Sequence, residues 1–214
     1  MTSLAPDLAR PETVLPLLDL LGVAVFAATG ALAAAREKHD WVTFAFFGAI
    51  TGVGGGTLRD LLIGAPVFWV QDWRYIAVCV LAASAIWILG ARTWRFRALL
   101  WLDALGLAAY GVMGTAKAAT YGVAPMICVI MGVLTACFGG IVRDVLANQP
   151  SILLRRELNI TAALLSGTLF AVLTYVGVPT WPAVAVAVVA GFGLRAGALT
   201  WGWSLPAFPS APSR

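Results

Sequence analysis

The chain has 214 residues, 61% of them hydrophobic and 11% charged, and its mean hydropathy is +0.90. A water-soluble domain is about 45–50% apolar, so this composition excludes an ordinary soluble enzyme and predicts an all-α membrane protein of several spans. The formal charge of +4 arises from 14 Lys and Arg against 10 Asp and Glu, lying largely between apolar stretches, which suits membrane orientation and not a nucleic-acid partner.

Residues 1–14 carry Asp7, Arg10 and Glu12 and lack the basic region and cleavage site of a secretory signal, so they are expected to be an N-terminal segment ahead of a retained first span. Apolar runs then predict membrane-crossing helices at 15–36, 42–64, 75–91, 99–120, 124–148, 158–177 and 181–200. Pro16, Pro125 and Pro182 stand near the starts of three of these, where the missing N–H costs nothing. The organisation expected is a first three-helix repeat at 15–92, a second at 99–177, a seventh helix at 181–200 and a disordered Pro-rich tail at 204–214. Trp41, Trp69, Trp73, Trp94, Trp101 and Trp181 fall near span ends, as interfacial anchors do.

Basic residues set the orientation. Arg36, Lys38, Arg92, Arg95, Arg97, Arg155, Arg156, Arg195 and Arg214 fall on one side, and only Arg10 and Arg74 on the other. By the positive-inside rule the N-terminus lies outside and the C-terminus in the cytoplasm.

The two halves echo each other at an offset of 84 residues: Asp19, Gly22, Gly30, Thr51, Gly55, Gly56, Arg59, Asp60 and Pro66 fall on Asp103, Gly106, Gly114, Thr135, Gly139, Gly140, Arg143, Asp144 and Pro150. With three spans per copy, the second copy enters the membrane from the opposite face, giving the inverted repeats found in transport proteins. The richest segments, TGVGGGTLRDLLIGAP and TACFGGIVRDVLANQP, lie within the second and fifth spans. Each glycine weakens a helix by about 1 kcal/mol relative to alanine, so a break or sharp kink is expected over Thr51–Gly56 (with Gly52, Val53, Gly54 and Gly55) and over Thr135–Gly140 (with Ala136, Cys137, Phe138 and Gly139). Carbonyls freed there would be transient K⁺ ligands, with hydroxyls from Thr51, Thr135 and Tyr110 close by. The competing reading is close helix packing through Gly48/Gly52/Gly56 and Gly132/Ala136/Gly140.

Charges within the spans are costly in lipid and mark candidate sites. Adjacent helical residues point about 100° apart, so Arg59 is expected to pair not with Asp60 but with Asp19, and Arg143 not with Asp144 but with Asp103. Such pairs either serve conduction or only fix the fold. Asp60 and Asp144 would then draw cations to each mouth, while Lys117, whose repeat mate is Ala33, either snorkels or opposes cation flow until it moves. His39 is the only histidine, and Cys79, Cys128 and Cys137 lack ligand spacing, so neither an enzyme, a structural metal site nor a cofactor is expected.

The doubled pattern, GGGTLRDLLIGAPVFW followed by DALGLAAYGVMGTAKA and FGGIVRDVL, resembles the prokaryotic trimeric intracellular cation (TRIC) channel family from about Leu15 to Gly197. The resemblance implies seven transmembrane helices in two inverted three-helix repeats plus one, and a homotrimer in the lipid of the bacterial inner membrane. It further implies one pore per subunit for monovalent cations, chiefly K⁺ with Na⁺ the other candidate, opened or closed by the glycine-rich helices. A gating lysine of the family's fourth helix matches Lys117. The alternative function is a secondary transporter of a small solute such as an amino acid, which inverted repeats serve equally well.

Overall fold

The computed structural model describes residues 11–90, 96–149 and 158–205, with side chains from residue 19 onward in the first stretch and from 97 in the second. Expectations resting on Asp7, Arg10, Arg92, Trp94, Arg95, Pro150, Arg155, Arg156, Arg214 and the Pro-rich tail lie outside these residues, as do the side chains of Glu12 and Pro16.

Among the described residues the chain forms eight helices: α1 (Pro11–Arg36), α2 (Trp41–Leu62), α3 (Phe68–Gln71), α4 (Arg74–Leu89), α5 (Phe96–Thr120), α6 (Pro125–Leu146), α7 (Asn159–Tyr175) and α8 (Thr180–Trp201). Five of them are long and apolar enough to cross a membrane, and α4 and α7 are shorter apolar helices. Large apolar side chains such as Leu81, Ile88, Met126, Tyr175 and Val189 face outward. In water that surface would be unfavourable, and in hydrocarbon it is matched. The protein is a multi-pass membrane protein.

Helix α1 packs on α2 and α4, and α5 packs on α6 and α7, with α8 against α5 and α7. The two groups meet where α2 crosses α6 and α1 meets α5. The core between them holds Val23, Phe26, Val53, Tyr110, Leu107 and Ala136. Helices α2 and α6 end alike: Gly64 and Asn148, which are repeat mates, both adopt a left-handed backbone, with φ of 69° and 49°. Glycine and asparagine tolerate that conformation best, so both helices are stopped by the same device.

The expected break in the glycine-rich helices is absent. Hydrogen-bonded helix runs without interruption through Thr51–Gly56 and Thr135–Gly140. The carbonyls of Gly52–Gly54 and Ala136–Phe138 therefore lie inside continuous helix and are not freed as cation ligands. What the glycines provide is proximity. A methyl group at Gly55 would overlap the Thr135 carbonyl oxygen, and one at Gly139 would overlap that of Thr51. Within each copy, Gly30 faces the Thr51 hydroxyl and Gly114 that of Thr135. Each threonine is thus flanked by two glycines, one from its own copy and one from the other. In lipid, where apolar surface gains nothing by leaving solvent, such small-residue contacts are a main source of helix association.

Candidate functional site

Two polar clusters lie inside this apolar bundle, one built on each copy. The second is the simpler. Arg143 of α6 is 1% exposed and donates from Nε to Asp144 Oδ1 at 2.9 Å and from Nη1 to Asp103 Oδ1 of α5 at 3.0 Å. Nη1 also reaches the Thr29 hydroxyl of α1 at 3.0 Å, and that hydroxyl donates onward to the Phe26 carbonyl at 2.8 Å. One guanidinium therefore ties α1, α5 and α6 together. The expected Asp103–Arg143 pair is present. A cavity of about 10 Å³ lies beside it among Leu107, Ala136, Cys137 and Gly140, about the space of one water.

The first cluster uses the same residue types in a different arrangement. Asp60 is fully buried and accepts Arg59 Nε and Nη2 on Oδ1, each at 2.8 Å. Lys117 Nζ, from α5, reaches both carboxylate oxygens at 2.9 Å. The Phe68 amide donates to Oδ2 at 3.0 Å, and the Phe68 ring lies 6.0 Å from the Arg59 guanidinium carbon and 5.6 Å from Lys117 Nζ. Both cations are thus within cation–π range of the ring. Asp19 stands apart. Its Oδ2 accepts the Tyr75 hydroxyl at 2.9 Å, and its backbone carbonyl accepts the Tyr110 hydroxyl at 3.1 Å.

Several expectations are corrected here. Arg59 pairs with its neighbour Asp60 and not with Asp19, and Arg143 also holds its neighbour Asp144. The 100° between adjacent Cα–Cβ directions is real, but an arginine side chain is long enough to curl across it. Asp60 and Asp144 are engaged by cations and are not open charges at a mouth. The Tyr110 hydroxyl is spent on the Asp19 carbonyl, and that of Thr135 on the Met131 carbonyl at 2.6 Å. The Thr51 hydroxyl oxygen is buried and has no hydrogen-bond partner among the described residues. Arg195, expected among the orienting cytoplasmic charges, is fully buried within α8. Trp69 is no simple interfacial anchor, since its indole N–H donates to the Thr57 hydroxyl at 2.9 Å. Sequence reasoning missed Phe68 and Tyr75 altogether. A usable signal existed for Tyr75, which replaces its repeat mate Asn159 at the start of an apolar span.

Comparison with known proteins follows the same two-copy pattern. A family model described as "Glycine transporter" matches the chain twice, at residues 16–91 and 100–175, stretches that begin 84 residues apart. A "UPF0126 membrane protein" of Vibrio cholerae is 37% identical over 94% of this chain and 86% of its own length. The "UPF0126 inner membrane protein YadS" of Escherichia coli is 36% identical over 89% of this chain and 94% of its own. The crystal structure of the TRIC trimeric intracellular cation channel orthologue from Rhodobacter sphaeroides superposes with a TM-score of 0.86 and 45% identity, covering 89% of this chain and all of that one. The chain belongs to the family that model describes and to the prokaryotic TRIC proteins. In this TRIC-family chain the charged clusters sit on the repeated motif itself, at the crossing of the two copies. Among the described residues no group of three or more His, Cys, Asp and Glu side chains could hold a metal ion.

Proposed function

We propose that this protein is a homotrimeric, monovalent-cation channel of the inner membrane, selective for K⁺, with one pore in each subunit between the two copies of the repeat. The observation that carries the reading is the match, at 45% identity and over its full length, to a TRIC cation channel. The internal chemistry is consistent with it. Ionisable residues buried within a membrane bundle are retained for a polar route or a switch, and here Arg59, Lys117 and Arg143, in the last turns of α2, α5 and α6, all bind buried carboxylates, the pairs of Lys117 and Arg143 tying α5 to α2 and to α6. On this reading the five long helices and the shorter α4 and α7 all cross, with the N-terminus outside, and the copies are inverted relative to one another, which puts Asp19 and Asp103 near opposite faces.

Lys117 is the gating element on this reading. Its side chain is 31% exposed while its partner Asp60 is 0% exposed, so it is the member of the first cluster best placed to leave it. While it binds Asp60 it ties α5 to α2 and sets a positive charge in the cation route. Opening then consists of releasing this pair, with the glycine contacts between α2 and α6 as the pivot. No bound cofactor is required, and the ions carried are K⁺ and, less favoured, Na⁺.

The rival is a secondary transporter of a small amino acid, which the label of the matching family model favours. Purified protein in planar bilayers separates the two. Unitary currents reversing at the K⁺ equilibrium potential support the channel; saturable, gradient-coupled uptake without unitary currents overturns it. In the same recording Lys117→Met raises open probability if the lysine is the gate.

A further inference from the structure

The four core carboxylates are not equivalent. Asp60, Asp103 and Asp144 are buried and each touches an arginine. Asp19 is only partly buried, and among the described residues no cation lies within ion-pair distance of it. Its repeat mate Asp103 is paired with Arg143, so the motif is able to form that bond, and in the first copy it does not. Three departures from the 84-residue echo accompany the difference: Tyr75 stands where the second copy has Asn159, Tyr110 stands opposite Phe26, and Lys117 opposite Ala33. All three act on the first cluster. Lys117 and Arg59 saturate Asp60, the Tyr75 hydroxyl holds the Asp19 carboxylate, and the Tyr110 hydroxyl fixes the backbone of the same residue. Tyr75 is itself braced edge-on against Phe68, with ring centroids 4.6 Å apart, and Phe68 underlies both cations.

The geometry points to Tyr75 as a positioning residue that keeps Asp19 out of the ion-pair network, so that its charge is available to a cation entering at that end of the molecule. Asp19 accepts a neutral hydroxyl, which orients a carboxylate without cancelling its charge, whereas an arginine partner would cancel it. Without the hydroxyl, Asp19 swings to Arg59 as Asp103 meets Arg143, and the entrance loses its attracting charge. This inference rests on the channel reading for its functional half alone.

The test is Tyr75→Phe, which removes one oxygen and leaves the ring against Phe68. In planar bilayers at ~0.1 M KCl, current carried by cations entering at the Asp19 end falls roughly twofold while the opposite limb is unchanged, and the asymmetry fades at ~1 M as salt screens the charge. Asp19→Asn gives the same rectification, and the double variant is no weaker than either single one. The inference is overturned if Tyr75→Phe lowers thermal stability yet conducts as wild type, or if its effect adds to that of Asp19→Asn. A crystal or cryo-electron-microscopy structure of Tyr75→Phe reads the positioning half without any current: Asp19 within ion-pair distance of Arg59 is expected, and Asp19 left in place refutes it. If wild-type protein passes no unitary current, the channel reading fails while this structural outcome still decides the role of Tyr75.

Discussion

The two copies of the repeat place one Asp and an Arg-Asp pair at matching positions, yet they wire them differently. In the second copy one guanidinium serves two carboxylates and a threonine on three helices, and every member is buried. In the first copy two cations converge on one carboxylate, and the remaining Asp19 is left to a tyrosine. The second arrangement resembles a rivet, because separating α5 from α6 breaks the buried pair of Asp103 with Arg143, and moving α1 takes a hydrogen bond from the same guanidinium. The first contains a half-exposed lysine and an uncancelled carboxylate, so it has alternatives at low cost. The two copies therefore share one motif, and departures from it that include Tyr75, Tyr110 and Lys117 make one copy a fixed point and the other the place where change is affordable.

Removing the arginines tests this contrast most directly. Arg143→Met takes from the buried Asp103 its guanidinium partner and is expected to cost about 3–5 kcal/mol of stability. Arg59→Met leaves Asp60 with Lys117 and the Phe68 amide, and is expected to cost no more than about half of that. Thermal unfolding in detergent, followed by tryptophan fluorescence, ranks the two; equal losses would dissolve the distinction between rivet and switch. Next in size are the glycines at the crossing. Gly55→Ala and Gly139→Ala each drive a methyl group into a carbonyl of the opposite copy, which overpacking places at about 1–3 kcal/mol, and the reciprocity of the contact makes the two losses alike. Gly54→Ala is the control, since its added methyl meets only Gly139 Cα at 3.8 Å and its helix propensity improves.

Five of the seven expected spans, the duplication and the Asp103–Arg143 pair were legible because each depends on composition or spacing, quantities a sequence carries directly. Expected spans such as 42–64 and 124–148 differ from α2 and α6 by no more than two residues at either end. The glycine runs were legible as important, but of the break or sharp kink expected there the break does not form: propensity alone favours an interruption, whereas tertiary contacts at Gly55 and Gly139 reward an uninterrupted helix. Side-chain reach was the second blind spot. Helical angles say where Arg59 starts and not where its guanidinium ends, so its bond to Asp60 could not be read from spacing. Arg195 was hidden by averaging, since one arginine in the 22-residue, strongly apolar α8 barely alters the hydropathy of that window. Phe68 was invisible for another reason: it acts from the four-residue α3, too short to leave a periodic signal.

A smaller effect is expected at Lys117. Because its side chain is partly exposed, Lys117→Met costs only about 1 kcal/mol of stability, far below Arg143→Met, while its effect on open probability is larger than that of any other single change in the first cluster. A variant that destabilised strongly and gated normally would make the lysine a structural clamp, and the first cluster would then be a second rivet.

The smallest expected effect lies where the copies differ at the start of their glycine-rich helices. Asp40 caps α2, accepting the Thr43 amide at 2.8 Å, whereas its repeat mate Ala124 offers no side-chain cap and α6 begins instead with Pro125. That amide bond holds the Asp40 carboxyl below its ordinary pKa. A depressed folded-state pKa stabilises the fold at any pH above the unfolded-chain value and ceases to do so as pH falls through the folded-state one. Asp40→Ala should therefore lower the melting temperature slightly at neutral pH, with the gap to wild type closing as pH drops below ~4. Of the two glycine-rich helices, the wild-type protein would show this acid sensitivity at the start of α2 and not at that of α6, which relies on a proline whose contribution does not titrate. A gap that stays constant down to ~3 would mean the carboxylate's charge plays no part in starting α2, and that the two copies begin their central helices by equivalent, pH-independent means.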